Sequence, residues 1–132
     1  MTDRIATCRC GQFRAECSGE PVRVSVCHCL ECQKRSGSAF AVQARWPEDQ
    51  VAISGRYKEW SYVGHTGNHA TFRFCPECGS TLAYVIDRMP GLIAIAVGAF
   101  ADPKFPPPIY SVFEGRKHDW VAIIGNGIEH ID

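Results

Sequence analysis

Phe40-Ala41-Val42-Gln43-Ala44-Arg45-Trp46 decides the fold class. Phe40, Val42, Ala44 and Trp46 alternate with Ala41, Gln43 and Arg45, and a repeat of two places the sets on opposite sides of an extended strand. One set is directed inward and the other outward. On either side of this run, short strands are expected over Ile5 to Arg9, Gln12 to Cys17, Val51 to Ser54, Tyr57 to Val63, Ala70 to Phe74, Thr81 to Ile86, Leu92 to Val97 and Ile109 to Val112. Turn chemistry separates them, at Gly11, Gly19-Glu20-Pro21, Trp46-Pro47, Gly55, Gly64, Gly67, Met89-Pro90-Gly91 and Pro106-Pro107-Pro108. Only Leu30 to Ser36, good helix formers closed by Gly37, is expected to form a short helix. The class is mainly β, built of antiparallel sheets, with no internal repeat and no low-complexity tract.

The chain has 132 residues and a mass of 14.6 kDa, the usual size of one domain, and residues 1–132 are expected to form one. The apolar residues that follow the triple proline, Ile109 to Ile124, are expected to wrap the same core. With 45% apolar residues, a chain of this length buries roughly 68% of its unfolded surface and needs no covalent staples merely for being small. Fourteen Lys and Arg balance fourteen Asp and Glu, and no basic face is evident, which argues against nucleic acid as a partner. The longest apolar run, Gly91 to Ala101, is about half the roughly 20 residues a bilayer span requires, so no membrane association is expected. The amino-terminal residues place Asp3 and Cys8 where the apolar core of a signal peptide would stand, and a cytoplasmic location is expected. In a reducing compartment, clustered cysteines point to metal or redox chemistry before disulfides.

Eight cysteines fall as Cys8-x-Cys10, Cys17, Cys27-x-Cys29-x-x-Cys32 and Cys75-Pro-Glu-Cys78-Gly79. The last is a knuckle that turns two thiolates toward one point while its amides face the sulfurs, half of a tetrahedral zinc site. Two pairs compete to complete it. Cys8 and Cys10 would make an all-thiolate site and leave Cys27, Cys29 and Cys32 as a three-ligand site with an open fourth position. Cys29 and Cys32 would instead make a zinc ribbon, although the 42 intervening residues exceed the roughly 15 to 20 of that motif. Cys29-Leu30-Glu31-Cys32 also has the spacing of a redox dithiol, but without the βαβ context of that motif. Cys17 is read as a small buried hydrophobe. His28, between two cysteines, is aimed away from any metal they hold, toward other protein groups or solvent.

The run Cys27-His28-Cys29-Leu30-Glu31-Cys32-Gln33-Lys34-Arg35-Ser36-Gly37-Ser38-Ala39-Phe40, with Cys8-x-Cys10-Gly11 before it and Phe74-Cys75-x-x-Cys78-Gly79-Ser80-x-Leu82 after it, resembles the glutathione-dependent formaldehyde-activating enzyme family, which also includes centromere protein V. The resemblance implies an Mss4-like β-tent. It also implies a structural zinc on Cys8, Cys10, Cys75 and Cys78 and a second, catalytic zinc on Cys27, Cys29 and Cys32. Three departures stand out. Gln33 replaces a common arginine, Gly98-Ala99-Phe100-Ala101-Asp102-Pro103 lacks an acid at Ala101, and the loop Gly64 to His69 lacks the paired serines frequent after the tyrosine at position 62.

A thiolate-rich centre with an open position suits the activation of thiols better than of water. An incoming thiol deprotonated there stands ready to attack an aldehyde carbon, and the reverse reaction is a carbon–sulfur lyase. Glutathione brings two carboxylates, for which Lys34, Arg35 and Arg73 are the candidate clamps. His65 and His69 are candidate acid–base groups or a fourth ligand, or simply a polar loop. A zinc deaminase is excluded, since neither His-x-Glu nor Pro-Cys-x-x-Cys occurs. The alternative is a zinc-stabilised binding or scaffold module whose second site is closed by Cys17 or a histidine.

Overall fold

The computed structural model describes residues 3–64 and 66–132. Its strands are β1 (Asp3–Thr7), β2 (Arg14–Ser18), β3 (Arg23–Cys27), β4 (Ala41–Pro47), β5 (Val51–Ser54), β6 (Lys58–Val63), β7 (His69–Phe74), β8 (Thr81–Ile86), β9 (Leu92–Ala96), β10 (Tyr110–Val112) and β11 (Glu129–His130). One helix, α1 (Leu30–Ser36), follows β3, and Gly37 ends it in the left-handed conformation, its N–H bonded to the Gln33 carbonyl. The protein is thus mainly β. A small sheet has the order β1-β2-β5 and a large one the order β11-β10-β3-β4-β9-β8-β7-β6. All pairs are antiparallel except β10 on β3 and β11 on β10, which are parallel.

The core lies between the sheets. Ala6, Phe13, Ala15 and Cys17 come from the side of the small sheet, and Val24, Ala44, Trp46, Leu82, Ile93 and Ile95 meet them from the large one. Trp46 is fully buried, donates from its indole nitrogen to the Gly19 carbonyl at 3.1 Å, and packs on the rings of Phe100 and Phe105. A ring system of that size removes roughly 250 Å² from water, an upper bound of about 6 kcal/mol in transfer free energy.

The alternation in β4 runs as its sequence indicates, with one qualification. Ala44 and Trp46 enter the core, but Gln43 and Arg45 on the opposite face do not reach solvent: they are 3% and 6% exposed. The register pairs Arg23 with Arg45, Ser25 with Gln43 and Cys27 with Ala41, so these polar side chains share one face of the large sheet. That face is a second interior. On β6, β7, β8 and β9 it carries Tyr62, Ala70, Phe72, Tyr84 and Ala94, a cluster separate from the main core.

A bulge sets the boundary between the two faces. Arg73 pairs with Ala83 but Phe74 with Thr81, which leaves Leu82 as the extra residue. Leu82 and Ala83 therefore both enter the core between the sheets, while Tyr84 turns to the other face. Strand β3 has no counterpart among the segments expected from periodicity. Its two aliphatic residues, Val24 and Val26, are interleaved with Arg23, Ser25 and Cys27, and a five-residue run so divided carries little hydrophobic signal.

Candidate functional site

Cys8 and Cys10 lie on the turn joining β1 to β2, where the Gly11 N–H bonds the Cys8 carbonyl at 3.0 Å. Cys75 and Cys78 lie on the turn joining β7 to β8, closed by Gly79 N–H to the Cys75 carbonyl and Cys75 N–H to the Ser80 carbonyl, both 2.9 Å. The two turns belong to different sheets, and their four sulfurs gather within 4.8 Å of one another. Cys10 Sγ stands 3.6 Å from Cys8 Sγ and 3.7 Å from Cys75 Sγ. Four sulfurs 2.3 Å from a tetrahedral ion lie about 3.8 Å apart, so donor type and spacing both fit Zn²⁺.

Donors surround these sulfurs. The Phe13 amide reaches Cys8 Sγ at 3.3 Å, the Glu77 amide reaches Cys75 Sγ at 3.4 Å, and Gln12 Nε2 donates to Cys75 Sγ at 2.9 Å. The Ser80 hydroxyl and amide, with the Cys10 amide, draw the Cys78 thiol down to about 5, toward the thiolate a metal requires.

The second cluster is more local. Cys27 ends β3, Cys29 is the N-cap of α1 and Cys32 is in its first turn, with the Cys32 amide on Cys29 Sγ at 3.3 Å. Their three sulfurs also lie within 4.8 Å of one another. Donation from the Cys27 and Cys32 side chains, and then from the Cys32 and Glu31 amides, holds the Cys29 thiol far below its usual range. Both clusters can hold a metal ion, and among the described residues neither includes a histidine.

The residues around the triad fix its backbone. His28 is fully buried, pointing away from the sulfurs to Ser111 Oγ, 2.9 Å from its Nε2, and burial lowers its pKa. Gln33 donates from Nε2 to the carbonyls of His28 and Arg116 at 2.8 and 3.1 Å, and its Oε1 meets His118 Nε2 at 2.9 Å. The amide at this position therefore ties the cysteine loop to the carboxyl-terminal segment. Cys17 sits in the core and belongs to neither cluster, and burial pushes its thiol up to about 12.

The triad opens into a cavity of about 320 Å³ beneath the polar face of β3 and β4. Of the cations anticipated as clamps, Arg35 lines it, its guanidinium carbon 5.0 Å from the ring centres of Phe72 and Tyr84. Lys34 and Arg73 are not among the lining residues. Arg73 pairs with Glu59 at 3.2 Å and stacks on Tyr57. His69 is exposed at the start of β7, and His65 lies outside the described residues. Periodicity passed over Arg23 and Arg45, which line the cavity with Tyr62 and Tyr84. The signal available was a charged residue on each of two apolar strands; the register that brings these charges face to face was not legible.

The glutathione-dependent formaldehyde-activating enzyme family matches residues 3–116. The chain belongs to this family. Membership supports a function related to glutathione and formaldehyde, and the matched segment holds both cysteine clusters. A crystal structure of a Rhodobacter sphaeroides protein, a structural-genomics target, is similar with a TM-score of 0.57 at 19% sequence identity, covering 72% of this chain and 85% of that one. At that identity the likeness shows the fold. No curated protein matches the chain. No helix among the described residues is long and apolar enough to cross a membrane.

Proposed function

We propose that this family member is a zinc-dependent carbon–sulfur lyase, or synthase in the opposite direction, that cleaves or forms the adduct of a glutathione-like thiol with a small, formaldehyde-like aldehyde. The observation that carries this reading is a three-cysteine cluster facing an arginine-lined cavity. Cys8, Cys10, Cys75 and Cys78 would hold a structural zinc, and Cys27, Cys29 and Cys32 a catalytic one. Held by these three ligands, a zinc ion would supply Lewis acidity that lowers the pKa of a nearby thiol.

In the forming direction the thiol sulfur bonds to the aldehyde carbon, the carbonyl π bond breaks, and the sulfur's proton ends on the new hydroxyl. Nothing is oxidised or reduced. Arg35 would orient an anionic end of the thiol, its guanidinium held flat by Phe72 and Tyr84. Burial, then the negative charges of Glu31, Cys32 and Cys29, push Tyr62 up to about 12, so its hydroxyl keeps its proton at neutral pH and can donate to the developing alkoxide. Eight cysteines without a disulfide suit a cytoplasmic, reducing setting.

The test is exchange between formaldehyde, glutathione and S-hydroxymethylglutathione, followed by NMR above the spontaneous background. Cys29→Ser should lose about 100-fold or more of the enzymatic exchange while circular dichroism stays that of the wild type. Unchanged exchange in this variant would sink the reading. The scaffold alternative requires a second site closed by Cys17 or a histidine; Cys17 is in the core and His28 faces Ser111, which weighs against those two, while His65 lies outside the described residues.

A further inference from the structure

Arg23 and Arg45 face each other across β3 and β4, on the sheet face that floors the cavity. Arg45 is 6% exposed, yet the hydrogen-bond partners of its guanidinium are neutral and the bonds long: Ser25 Oγ and Tyr84 Oη, each 3.4 Å away. Arg23 stacks on Tyr110 at 4.0 Å, and its buried Nε has no hydrogen-bond partner. Among the described residues, no carboxylate comes within 4.0 Å of the guanidinium of Arg23, Arg35 or Arg45. Two like charges, one buried and one half-buried, are thus held together at the cavity floor with no carboxylate in contact, Glu129 acting on Arg23 only from beyond that distance. Burial first, and then the charge of Arg45, lower the pKa of Arg23 against the opposing pull of Tyr110, Tyr84 and Glu129, and an anion between the two guanidinium groups would relieve the part that Arg45 causes.

Position adds a length requirement. Cys27, beside the other end of the cavity, pairs with Ala41 four residues along β3 from Arg23, so the two Cα atoms stand about 13 Å apart. We infer that Arg23 and Arg45 form a carboxylate anchor at the far end of the cavity from the cysteine triad, so that the site selects a peptide-sized thiol whose carboxylate lies several bonds from its sulfur. This inference rests on reading the cavity as a thiol site. Arg35, on α1 next to Cys32, remains to orient a second anionic group nearer the sulfur. Amino-acid thiols, whose carboxylate is two carbons from sulfur, are too short to engage the anchor and the triad together. Guanidinium forks would hold the carboxylate by paired, charge-assisted hydrogen bonds.

The test is calorimetric titration of the zinc-loaded protein with three probes that have no free thiol: S-methylglutathione, its diethyl ester and S-methylcysteine. S-Methylglutathione should bind saturably, and the other two at least ten-fold more weakly. Arg23→Gln and Arg45→Gln should each weaken S-methylglutathione by ten-fold or more and abolish its advantage over the ester, the coupling expected of groups in contact. Arg14→Gln, on the exposed face of β2, should bind as the wild type does. Arg45→Gln should also melt at or above the wild-type temperature, because it removes an uncompensated buried charge; an arginine with a structural role would lower it. Equal binding of acid and ester, wild-type affinity in both variants, or no binding of S-methylglutathione would each overturn the anchor. Absent formaldehyde exchange with the acid–ester difference intact would remove the proposed reaction and leave the anchor standing.

Discussion

At the scale of single residues, Gln12 and Gly55 support the four-cysteine site from outside it. The Gln12 side chain donates to both Cys75 Sγ and the Arg56 carbonyl and accepts from the Arg56 amide, joining the β1–β2 turn to the residue after Gly55. Gly55 permits the approach. Its φ is +92°, and a Cβ built on it would lie 2.0 Å from the Gln12 carbonyl oxygen. Gly55→Ala therefore combines left-handed strain with a backbone clash and should destabilise by about 2–4 kcal/mol. Thermal melting of the variant checks this, and a wild-type midpoint would contradict it. The cysteine pattern itself was open to sequence reading because the ligand pairs sit two or three residues apart. Gln12 was not, since nothing in its neighbourhood marks a glutamine as a donor to sulfur 63 positions away.

At the scale of elements, β4 was legible and β3 was not, though they are paired along five residues. Large aliphatic and aromatic side chains on one face of β4 advertise its period, whereas β3 alternates valine with polar groups that a cavity, rather than solvent, receives. The same cause hid the arginines: a buried polar face reads as an exposed one. The carboxyl-terminal strand offers a different lesson, because β11 has two residues and a side-chain contact supplements its few backbone bonds. Glu114 accepts from His130 Nδ1 at 2.6 Å, and the Ile131 amide then bonds the Ser111 carbonyl at 2.8 Å. His130, then Ser111, hold the Glu114 carboxyl below its usual value of 4.5. A depressed carboxylate stabilises fully above that value and loses its contribution as pH falls through the lower, folded one. Glu114→Gln should therefore speed hydrogen exchange of the Ile131 amide about ten-fold at pH 7, and the difference from wild type should shrink as pH falls through the folded value. Equal exchange at pH 7 would show that β11 is held without this pair.

At the scale of the whole molecule, the four-cysteine site fastens the small sheet to the large one at their turns, while the triad sits at the edge of a cavity and bridges no sheets. The two centres should part under a chelator. A mild one is expected to take one zinc per chain, from the triad, with little change in melting temperature. A strong one should take the second and lower the midpoint by more than about 10 °C, because metal binding free energy at a structural site is folding free energy. Zinc per chain measured beside calorimetry checks both steps, and a large drop on losing the first ion would reverse the assignment. We propose that residues 1–132 unfold as one unit while both ions are bound, with equal calorimetric and van't Hoff enthalpies.

The separation of the two cysteine turns has a consequence in time. Each turn is made by its own hairpin, but Cys75 follows Cys8 by 67 positions, which a ribosome adding 5 to 20 residues per second covers in about 3 to 13 s. For those seconds Cys8 and Cys10 are half a site, two thiols without the partners that would commit them to a metal. A pair of adjacent thiols is also the substrate for oxidation to a disulfide, which would remove both ligands before the other two exist. Reducing surroundings would thus matter to this chain most while it is being made, before the ion proposed to shield those sulfurs has a place to bind.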